Sequence, residues 1–210
     1  MTQKPPVDVP ADIAFVHAIG GRAGVGAWPM QADLPGARFL VRRGFGDDEL
    51  PEELTVDGEA TWLAAQVHPA TVLVGHSWSA VAVLATAIRS PGLRGVVVIE
   101  PAATFAAADE YSVQEHVRAV SPATAQDERS LELLRRHRPP WETRLTPAAL
   151  AGMAVPLAVV TGGWSPLYEA IGSAVVDIAG GHHVQIEGAG HRPQDVGRFN
   201  DFLLSWVGRL

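Results

Sequence analysis

Cysteine is absent from the 210-residue chain, which excludes disulfides, thiolate catalysis, iron–sulfur clusters and cysteine zinc sites. Positive charge is scarce as well, since 16 basic residues stand against 23 acidic ones and the formal net charge is -7. Phosphate binding needs a basic face, so nucleic acid and anionic membrane surfaces are poor candidates for the main partner. No stretch reaches about 18 uninterrupted apolar residues, and we therefore expect no membrane span.

What the chain does contain is the composition of a folded domain. Hydrophobic residues make up 47% and charged residues 19%, which excludes a disordered chain. A chain of this length buries about 70% of its unfolded surface and needs neither disulfide nor metal to fold. The polar start, with a Pro-rich lead-in over residues 1–11, predicts that there is no signal peptide. We expect a single cytoplasmic domain over residues 1–210.

Short apolar runs recur along the chain, and each ends at a Gly, Pro or polar residue. Most of them are continuous and β-branched rather than alternating, which is typical of strands covered on both faces of a parallel sheet. Helical patterns lie between them, so the sequence predicts an α/β fold with a mostly parallel sheet of about six strands flanked by helices. The predicted strands are Ile13–His17, Arg38–Arg42, Thr71–Gly75, Gly95–Ile99, Leu157–Thr161 and His182–Ile186; the predicted helices are Gly58–Val67, Trp78–Ser90, Pro166–Ile178 and Pro193–Val207.

One long segment without a strand signal interrupts this alternation, between the fourth and fifth strands. It predicts an insertion at about residues 103–154 that is long enough for a small helical lid and too short for a second domain. Helices are expected within it at Glu110–Val120, Ala125–His137 and Thr146–Met153.

The third strand runs directly into Gly75-His-Ser-Trp-Ser79 and then into an Ala-rich helix. This is the pattern of a nucleophile elbow, in which a strained turn thrusts the central side chain up at the carboxyl edge of the sheet. Ser77 is therefore the candidate nucleophile. An ordinary Gly/Ser turn is the alternative interpretation. Ser79 departs from the elbow pattern, because glycine is usual at that position.

With the elbow in place, the chain resembles the α/β-hydrolase family from Ile13 to its end. His17-Ala-Ile-Gly-Gly21 stands where the family begins its oxyanion loop, and Glu187-Gly-Ala-Gly-His191 where it places its histidine. The order Ser, acid, His also fits. The chain is similar to a compact serine hydrolase or esterase that lacks the family's first two antiparallel strands.

The resemblance implies the remaining roles at the site. His191, on a Gly-rich loop after the sixth strand, is the expected base. The oxyanion hole is expected from two backbone N–H groups, that of Trp78 and, by resemblance, that of Ile19, each worth roughly 3 kcal/mol at the transition state. His17 is expected to organise the oxyanion loop and His76 to pack at the elbow.

The acid is where the pattern departs from the family. The family usually carries its Asp after the fifth strand, but that loop here reads Gly162-Gly-Trp-Ser-Pro166 and has no carboxylate. Glu100, directly after the fourth strand, takes the position that haloalkane dehalogenases use, and it is the predicted acid. Glu169 is the other candidate and is expected to point away. A helix cap or an arginine pair is the ordinary role for Glu100, and without an acid the site would be a dyad.

A serine nucleophile suits attack on an ester, a thioester or a related carbonyl group, and excludes the ester chemistry of dehalogenases and epoxide hydrolases, which need Asp. Trp164, Phe105 and Tyr111 are candidates for the mouth of the pocket, together with Trp78, Trp141 and Met153; core packing is the alternative, and the favoured one for any single residue of this set. A small apolar molecule is then the expected substrate.

Three functions remain open on the sequence. The first is a serine hydrolase that works through an acyl-enzyme. The second is a non-hydrolytic lyase, cyclase or isomerase on the same fold, and the third is a small-molecule-binding protein without turnover. No cofactor is predicted, because there is no P-loop and Gly20–Gly24 only weakly resembles a dinucleotide fingerprint. No metal is predicted either, because neighbouring strand residues such as His182 and His183 face opposite sides.

Overall fold

Six parallel strands form one sheet in the computed structural model, which describes residues 12–20, 22–47, 49–119 and 128–210. The sheet order is β2-β1-β3-β4-β5-β6, and all five strand pairings are parallel. The predicted parallel sheet of about six strands is confirmed. The strands are β1 (Asp12–Val16), β2 (Ala37–Leu40), β3 (Thr71–His76), β4 (Gly95–Ile99), β5 (Leu157–Thr161) and β6 (His182–Gln185).

Helices cover both faces of this sheet, which explains why the central strands are apolar throughout. Side chains such as Leu73 and Val98 pack on one face with α1, α2, α5 and α6. Their neighbours Val72 and Val97 pack on the other face, against the buried side of α7. The helices are α1 (Val56–Ala64), α2 (Trp78–Arg89), α3 (Tyr111–Ala119), α4 (Glu128–Arg136), α5 (Pro147–Ala151), α6 (Pro166–Ala179) and α7 (Gly197–Val207).

Most predicted helices differ from the structure by one to three residues at an end, and the physical reason is visible for two of them. α1 begins two residues before the predicted Gly58, because the Thr55 side chain caps it by accepting the Gly58 N–H. The helix predicted from Pro193 is split, since Val196 has extended backbone (φ -117°, ψ 143°) between a short 3-10 turn and α7.

The insertion between β4 and β5 carries α3, α4 and α5, and its described residues add no strand to the sheet. It is tied to the loop before α1 by a parallel bridge between Leu54 and His137. Residues 120 and 125–127 of the predicted lid helices, and the predicted lead-in over 1–11, lie outside the described residues. None of the described helices is long and apolar enough to cross a membrane.

Parallel strands end at one edge of the sheet, so the segments that follow β1, β3, β4, β5 and β6 meet there. The candidate residues of the sequence analysis are at this edge. This is where open α/β sheets bind their ligands.

Candidate active site

Ser77 forms the turn between β3 and α2, with φ 57° and ψ -120°. Non-glycine residues seldom adopt a positive φ, and the conformation is strained. Backbone hydrogen bonds hold it in place: the Ser77 N–H donates to the Ile99 carbonyl at 2.8 Å, and the Ser77 carbonyl accepts from the N–H groups of Ala80 (3.1 Å) and Ala102 (3.2 Å). The turn leaves Ser77 in the wall of a cavity.

The two small residues that flank the turn have distinct reasons to be small. A Cβ on Gly75 would lie 2.6 Å from Val83 Cγ2 and 3.0 Å from the Ser79 carbonyl oxygen, so β3 and α2 approach too closely for any side chain there. Ser79 is fully buried, and its Oγ donates a 2.6 Å hydrogen bond to the His17 carbonyl. The residue that departs from the expected glycine therefore connects the elbow helix to the loop after β1.

Glu100 is the second non-glycine residue with a positive φ, at 46°. Its side chain is fully buried, yet three donors face it. The Gly162 N–H donates to Oε1 at 2.6 Å, and Trp164 Nε1 and His191 Nδ1 lie 3.0 Å and 3.3 Å from Oε2. These donors let a carboxylate remain buried without a Lys or Arg partner.

The contact between Glu100 and His191 fixes the orientation of the imidazole. Because Oε2 is an acceptor, Nδ1 is the nitrogen that carries a hydrogen here, and in the neutral ring Nε2 is then the acceptor. The side chain of His191 is 36% exposed, and no hydrogen bond of Nε2, to the Ser77 hydroxyl or to another group, is seen within the described residues. Catalytic hydrogen bonds often tighten only when substrate binds.

Glu169 is engaged elsewhere. Its Oε2 accepts from the Thr161 hydroxyl at 2.8 Å and its Oε1 from the Gly163 N–H at 2.9 Å, while His183 Nε2 lies 3.6 Å away. The structure thus brings Glu100, and not Glu169, to His191.

The loop that carries His191 is fixed by two close approaches. A Cβ on Gly162 would lie 1.9 Å from the Gly190 carbonyl oxygen, so the loops after β5 and β6 touch through bare backbone. His76, next to the nucleophile, is buried and its Nε2 donates to the His191 carbonyl at 2.7 Å. Burial, with smaller effects of His191 and Arg192, lowers the pKa of His76 to about 3, so this histidine is neutral and holds the loop in place.

The loop after β1 lies on the other side of Ser77. His17 Nδ1 donates to the Ala18 carbonyl at 2.9 Å, and its Nε2 accepts the Arg42 N–H at 3.2 Å. Burial, with the charge of Arg42, lowers the pKa of His17 to about 3. Ile19 and Ser77 line the same cavity. The Trp78 N–H is the first amide of α2 and has no partner within the helix.

Arg42, which sequence reasoning missed, is a buried cation that packs on this side of the site. The Arg42 guanidinium lies over the Trp78 ring at 4.5 Å, and its Nη2 is 3.0 Å from His137 Nε2. Its Nε is 3.5 Å from the buried Glu59 carboxylate. Nothing in the local sequence marks Arg42 as buried, because its partners come from α1, α2 and the insertion.

The cavity above Ser77 has a volume of about 600 Å³. Its floor is formed by Ile19, Ser77 and Trp78, and its far wall by residues of the insertion. The side chains from the insertion include His116, Leu131, Leu134, Arg135 and Trp141. A cavity of about 730 Å³ beside α1 contains neither Ser77 nor His191. Among the described residues, no cluster of three His, Asp or Glu side chains could hold a metal ion.

The aromatic residues expected at the mouth do not all meet there. Trp164 does lie beside the site, since its ring is 5.8 Å from that of His191 and its indole N–H reaches Glu100. Tyr111 is placed elsewhere, because it is 68% exposed and its hydroxyl donates to Glu115 on the same helix. Phe105 lines a separate groove beside α3, and Met153 is buried in the core. The expectation for Tyr111, Phe105 and Met153 is therefore corrected.

Tyr168 takes the position that sequence reasoning assigned to other aromatics. It lies in the first turn of α6, lines the cavity together with Ser77, and packs on the His191 ring at 4.8 Å. Burial, with the charge of Glu100, raises its pKa to about 12, and an interaction with the Ser77 hydroxyl offsets part of that rise. The available signal is its place in the first turn of the helix that follows the fifth strand, at the edge where the other site residues collect.

No protein-family model matches the chain, and no curated protein matches it in sequence. Solved structures do match its fold. MenH from S. aureus has a TM-score of 0.67 at 13% identity, with 96% of each chain covered. A carboxylesterase from Nitrososphaera gargenis has a TM-score of 0.64 at 14% identity, with 93% of this chain and 89% of the other covered. The N-formylmaleamic acid deformylase of Pseudomonas putida S16 has a TM-score of 0.63 at 16% identity, with 93% and 92% covered.

Proposed function

The chain has the α/β-hydrolase fold, and on that premise we propose that it is a serine hydrolase that cleaves an ester, a thioester or a related carbonyl substrate through an acyl-enzyme. Ser77 is the nucleophile, His191 the general base and acid, and Glu100 the carboxylate that orients His191. The backbone N–H groups of Ile19 and Trp78 form the oxyanion hole.

The observation that carries this proposal is the contact of His191 Nδ1 with a fully buried carboxylate, 3.3 Å away, at the sheet edge where Ser77 forms its strained turn. A buried carboxylate on Nδ1 selects the tautomer whose Nε2 can take a proton, and it stabilises the imidazolium that results. An ordinary helix cap or arginine pair would not place Glu100 against a histidine. A binding protein without turnover would have no need of this arrangement.

Acylation follows from these positions. The Ser77 hydroxyl attacks the carbonyl carbon while His191 Nε2 takes its proton, and the carbonyl oxygen becomes an oxyanion that accepts hydrogen bonds from the Ile19 and Trp78 N–H groups. The C–O bond to the leaving group then breaks, and the proton on Nε2 passes to the leaving oxygen. Water enters afterwards and attacks the acyl carbonyl while His191 Nε2 takes its proton; the bond between the acyl carbon and Ser77 Oγ then breaks, the acid leaves, and the proton passes from Nε2 to Ser77 Oγ.

The cavity indicates the kind of molecule that is cleaved. Its volume of about 600 Å³ is in the range of small-molecule pockets. The side chains around Ser77 are mostly apolar or aromatic, with Ile19, Trp78, Leu134 and Trp141 among them. We propose a small apolar acyl or alcohol group as the substrate part held there, with Trp164 at the rim.

The test is the hydrolysis of p-nitrophenyl acetate and butyrate by the wild type and by Ser77→Ala, His191→Ala and Glu100→Gln. We expect the serine and histidine variants to fall to background and Glu100→Gln to lose about a hundredfold or more in kcat, as for loss of a triad acid. Glu169→Gln is the matched control and should keep most of the activity. Thermal unfolding of each variant shows whether the fold has survived.

Labelling by a fluorophosphonate probe gives an independent result. The wild type should be labelled at Ser77, and Ser77→Ala should not be labelled. A wild type that is neither labelled nor hydrolytic would refute the proposal and favour the binding protein. Turnover of a carbonyl substrate that survives Ser77→Ala would instead favour a lyase or cyclase that uses His191 as its base.

A further inference from the structure

Different residues lie on the two sides of Ser77, and the order of the strands in the sheet determines which residues these are. β3, which leads to Ser77, has β1 on one side and β4, β5 and β6 on the other. Ile19 follows β1, whereas Tyr168 and His191 follow β5 and β6. In a substrate bound at Ser77, the carbonyl oxygen therefore lies toward Ile19, and the side that faces His191 lies toward Tyr168.

Tyr168 is held on the histidine side by several contacts. Its ring packs against that of His191, with centroids 4.8 Å apart and the planes tilted by 42°. The exposed Trp164 ring lies 5.8 Å away. The phenol and Ser77 line the same cavity. The phenolic hydroxyl thus lies in the region where His191 Nε2 and Ser77 must meet.

We propose that Tyr168 is a further catalytic residue, whose phenolic O–H donates a hydrogen bond to the leaving-group oxygen, and that the substrates are esters of unactivated alcohols; this inference rests on the proposed serine-hydrolase function. The leaving oxygen must face His191 Nε2, because that nitrogen protonates it. The carbonyl oxygen is on the other flank, with Ile19 and Trp78. Tyr168 is the remaining side-chain donor in the cavity wall that packs on His191.

The bond changes in this step balance without further reagents. The tetrahedral intermediate collapses, its electron pair reforms the carbonyl group, and the C–O bond to the alcohol breaks. The proton on His191 Nε2 moves to the departing oxygen, while Tyr168 keeps its own proton and stabilises the negative charge that develops there. Help of this kind matters for a poor leaving group such as an alkoxide and little for p-nitrophenolate.

The environment of Tyr168 keeps it a donor. Burial raises its pKa to about 12, with a further contribution from the charge of Glu100, so the phenol is protonated throughout the neutral range. A protonated phenol stabilises a developing alkoxide, whereas a phenolate would repel it. The ring contact with His191 also limits the directions in which the hydroxyl can point.

The test compares kcat/KM of the wild type and Tyr168→Phe on p-nitrophenyl, phenyl and ethyl acetate, which share one acyl group and differ in leaving group. We expect a loss of about ten- to a hundredfold on ethyl acetate, the scale of a hydrogen bond to a charged oxygen, and less than about threefold on p-nitrophenyl acetate. Tyr111→Phe is the matched control, since it removes the hydroxyl of the other tyrosine at an exposed position. It should leave all three rates unchanged.

Each outcome has a separate meaning. Equal losses of Tyr168→Phe on all three esters, or slowed fluorophosphonate labelling of Ser77, would overturn the inference, because Tyr168 would then position Ser77 or His191 rather than act on the leaving group. No loss on ethyl acetate would overturn it as well. Failure of the wild type on all three esters and on the probe would instead refute the proposed function.

Discussion

Ser77 and Glu100 are the two non-glycine residues with a positive φ in the part of the chain that the structure describes. Each such conformation costs on the order of 1–3 kcal/mol and persists only where the surroundings over-determine it. The Glu100 N–H is held by the Val160 carbonyl at 2.8 Å, and the Ser77 N–H by that of Ile99 at the same distance. The strain therefore lies at two proposed members of one triad, on neighbouring strands of the sheet.

One prediction about a single residue concerns the hydroxyl of Ser79. In Ser79→Ala the buried His17 carbonyl loses its 2.6 Å hydrogen bond, which should destabilise the fold by roughly 1–3 kcal/mol. Since His17 precedes Ile19 in the proposed oxyanion loop, we expect kcat on p-nitrophenyl acetate to fall by about tenfold while KM changes little. Urea unfolding and steady-state kinetics measure the two effects.

Ser173→Ala is the matched control for Ser79→Ala, because Ser173 is an exposed serine on α6. It should change neither the unfolding free energy nor kcat. An unchanged kcat in Ser79→Ala would show that the hydroxyl serves the fold and has no part in holding the proposed oxyanion loop.

At the scale of elements, the sequence predicts what local pattern determines. The short apolar runs, most of them β-branched, indicate the six strands, and the Gly75–Ser79 turn between a strand and an Ala-rich helix identifies the elbow. Helix ends differ where a side chain or a single backbone torsion decides them, as Thr55 and Val196 do. Local pattern is therefore sufficient for the order of the fold and for the placement of Ser77.

Local pattern is not sufficient where a residue's partners come from distant elements. Glu100 is brought to His191 partly because the loop at Gly162 offers its N–H, and neither spacing nor composition shows that contact. Tyr111 was expected at the cavity and lies on the exposed side of α3, because the direction of a lid helix depends on packing against its neighbours. Sequence reasoning misses Tyr168 because its neighbour His191 comes from the loop after β6, and local sequence does not show that contact.

The contact between the loops after β5 and β6 gives the prediction at this scale. In Gly162→Ala the new Cβ would lie 1.9 Å from the Gly190 carbonyl oxygen, so the loop that carries His191 must move. We expect destabilisation of about 1–3 kcal/mol, hence a lower Tm by about 2–12 °C, and a loss of kcat of about tenfold or more as Glu100 and His191 separate. Differential scanning calorimetry and esterase kinetics measure both.

Gly197→Ala is the corresponding control, since Gly197 starts α7 and has nothing within 4 Å of the new Cβ. Its Tm should stay the same or rise slightly, because alanine favours the helix and restricts the unfolded chain. A Gly162→Ala variant that matches the wild type in both Tm and kcat would contradict the loop contact on which the geometry of His191 depends.

For the whole molecule, three histidines that are neutral in the fold link stability to pH, namely His17, His76 and His137. Burial, with the charge of Arg42, lowers the pKa of His137 to about 4. The pKa values of His17 and His76 are lowered to about 3, chiefly by burial. In the unfolded chain a histidine binds its proton at about pH 6.5. Between the folded and the unfolded pKa values, the unfolded state therefore binds more protons than the folded state. The contribution of these histidines to the free energy of unfolding is fully present above about pH 6.5 and is lost as the pH falls toward 3.

We therefore expect the free energy of unfolding to fall by roughly 2 kcal/mol for each of His17, His76 and His137 between pH 7 and pH 5, as measured by urea unfolding at both values. His76→Gln keeps a donor for the His191 carbonyl but cannot be protonated, so its loss over the same interval should be smaller by about one histidine's share. His182→Gln, at an exposed position of β6, should show the full wild-type loss. Equal unfolding free energies of the wild type at pH 7 and pH 5 would mean that His17, His76 and His137 are not held neutral, and the tie between His76 and the loop of His191 would then fail with them.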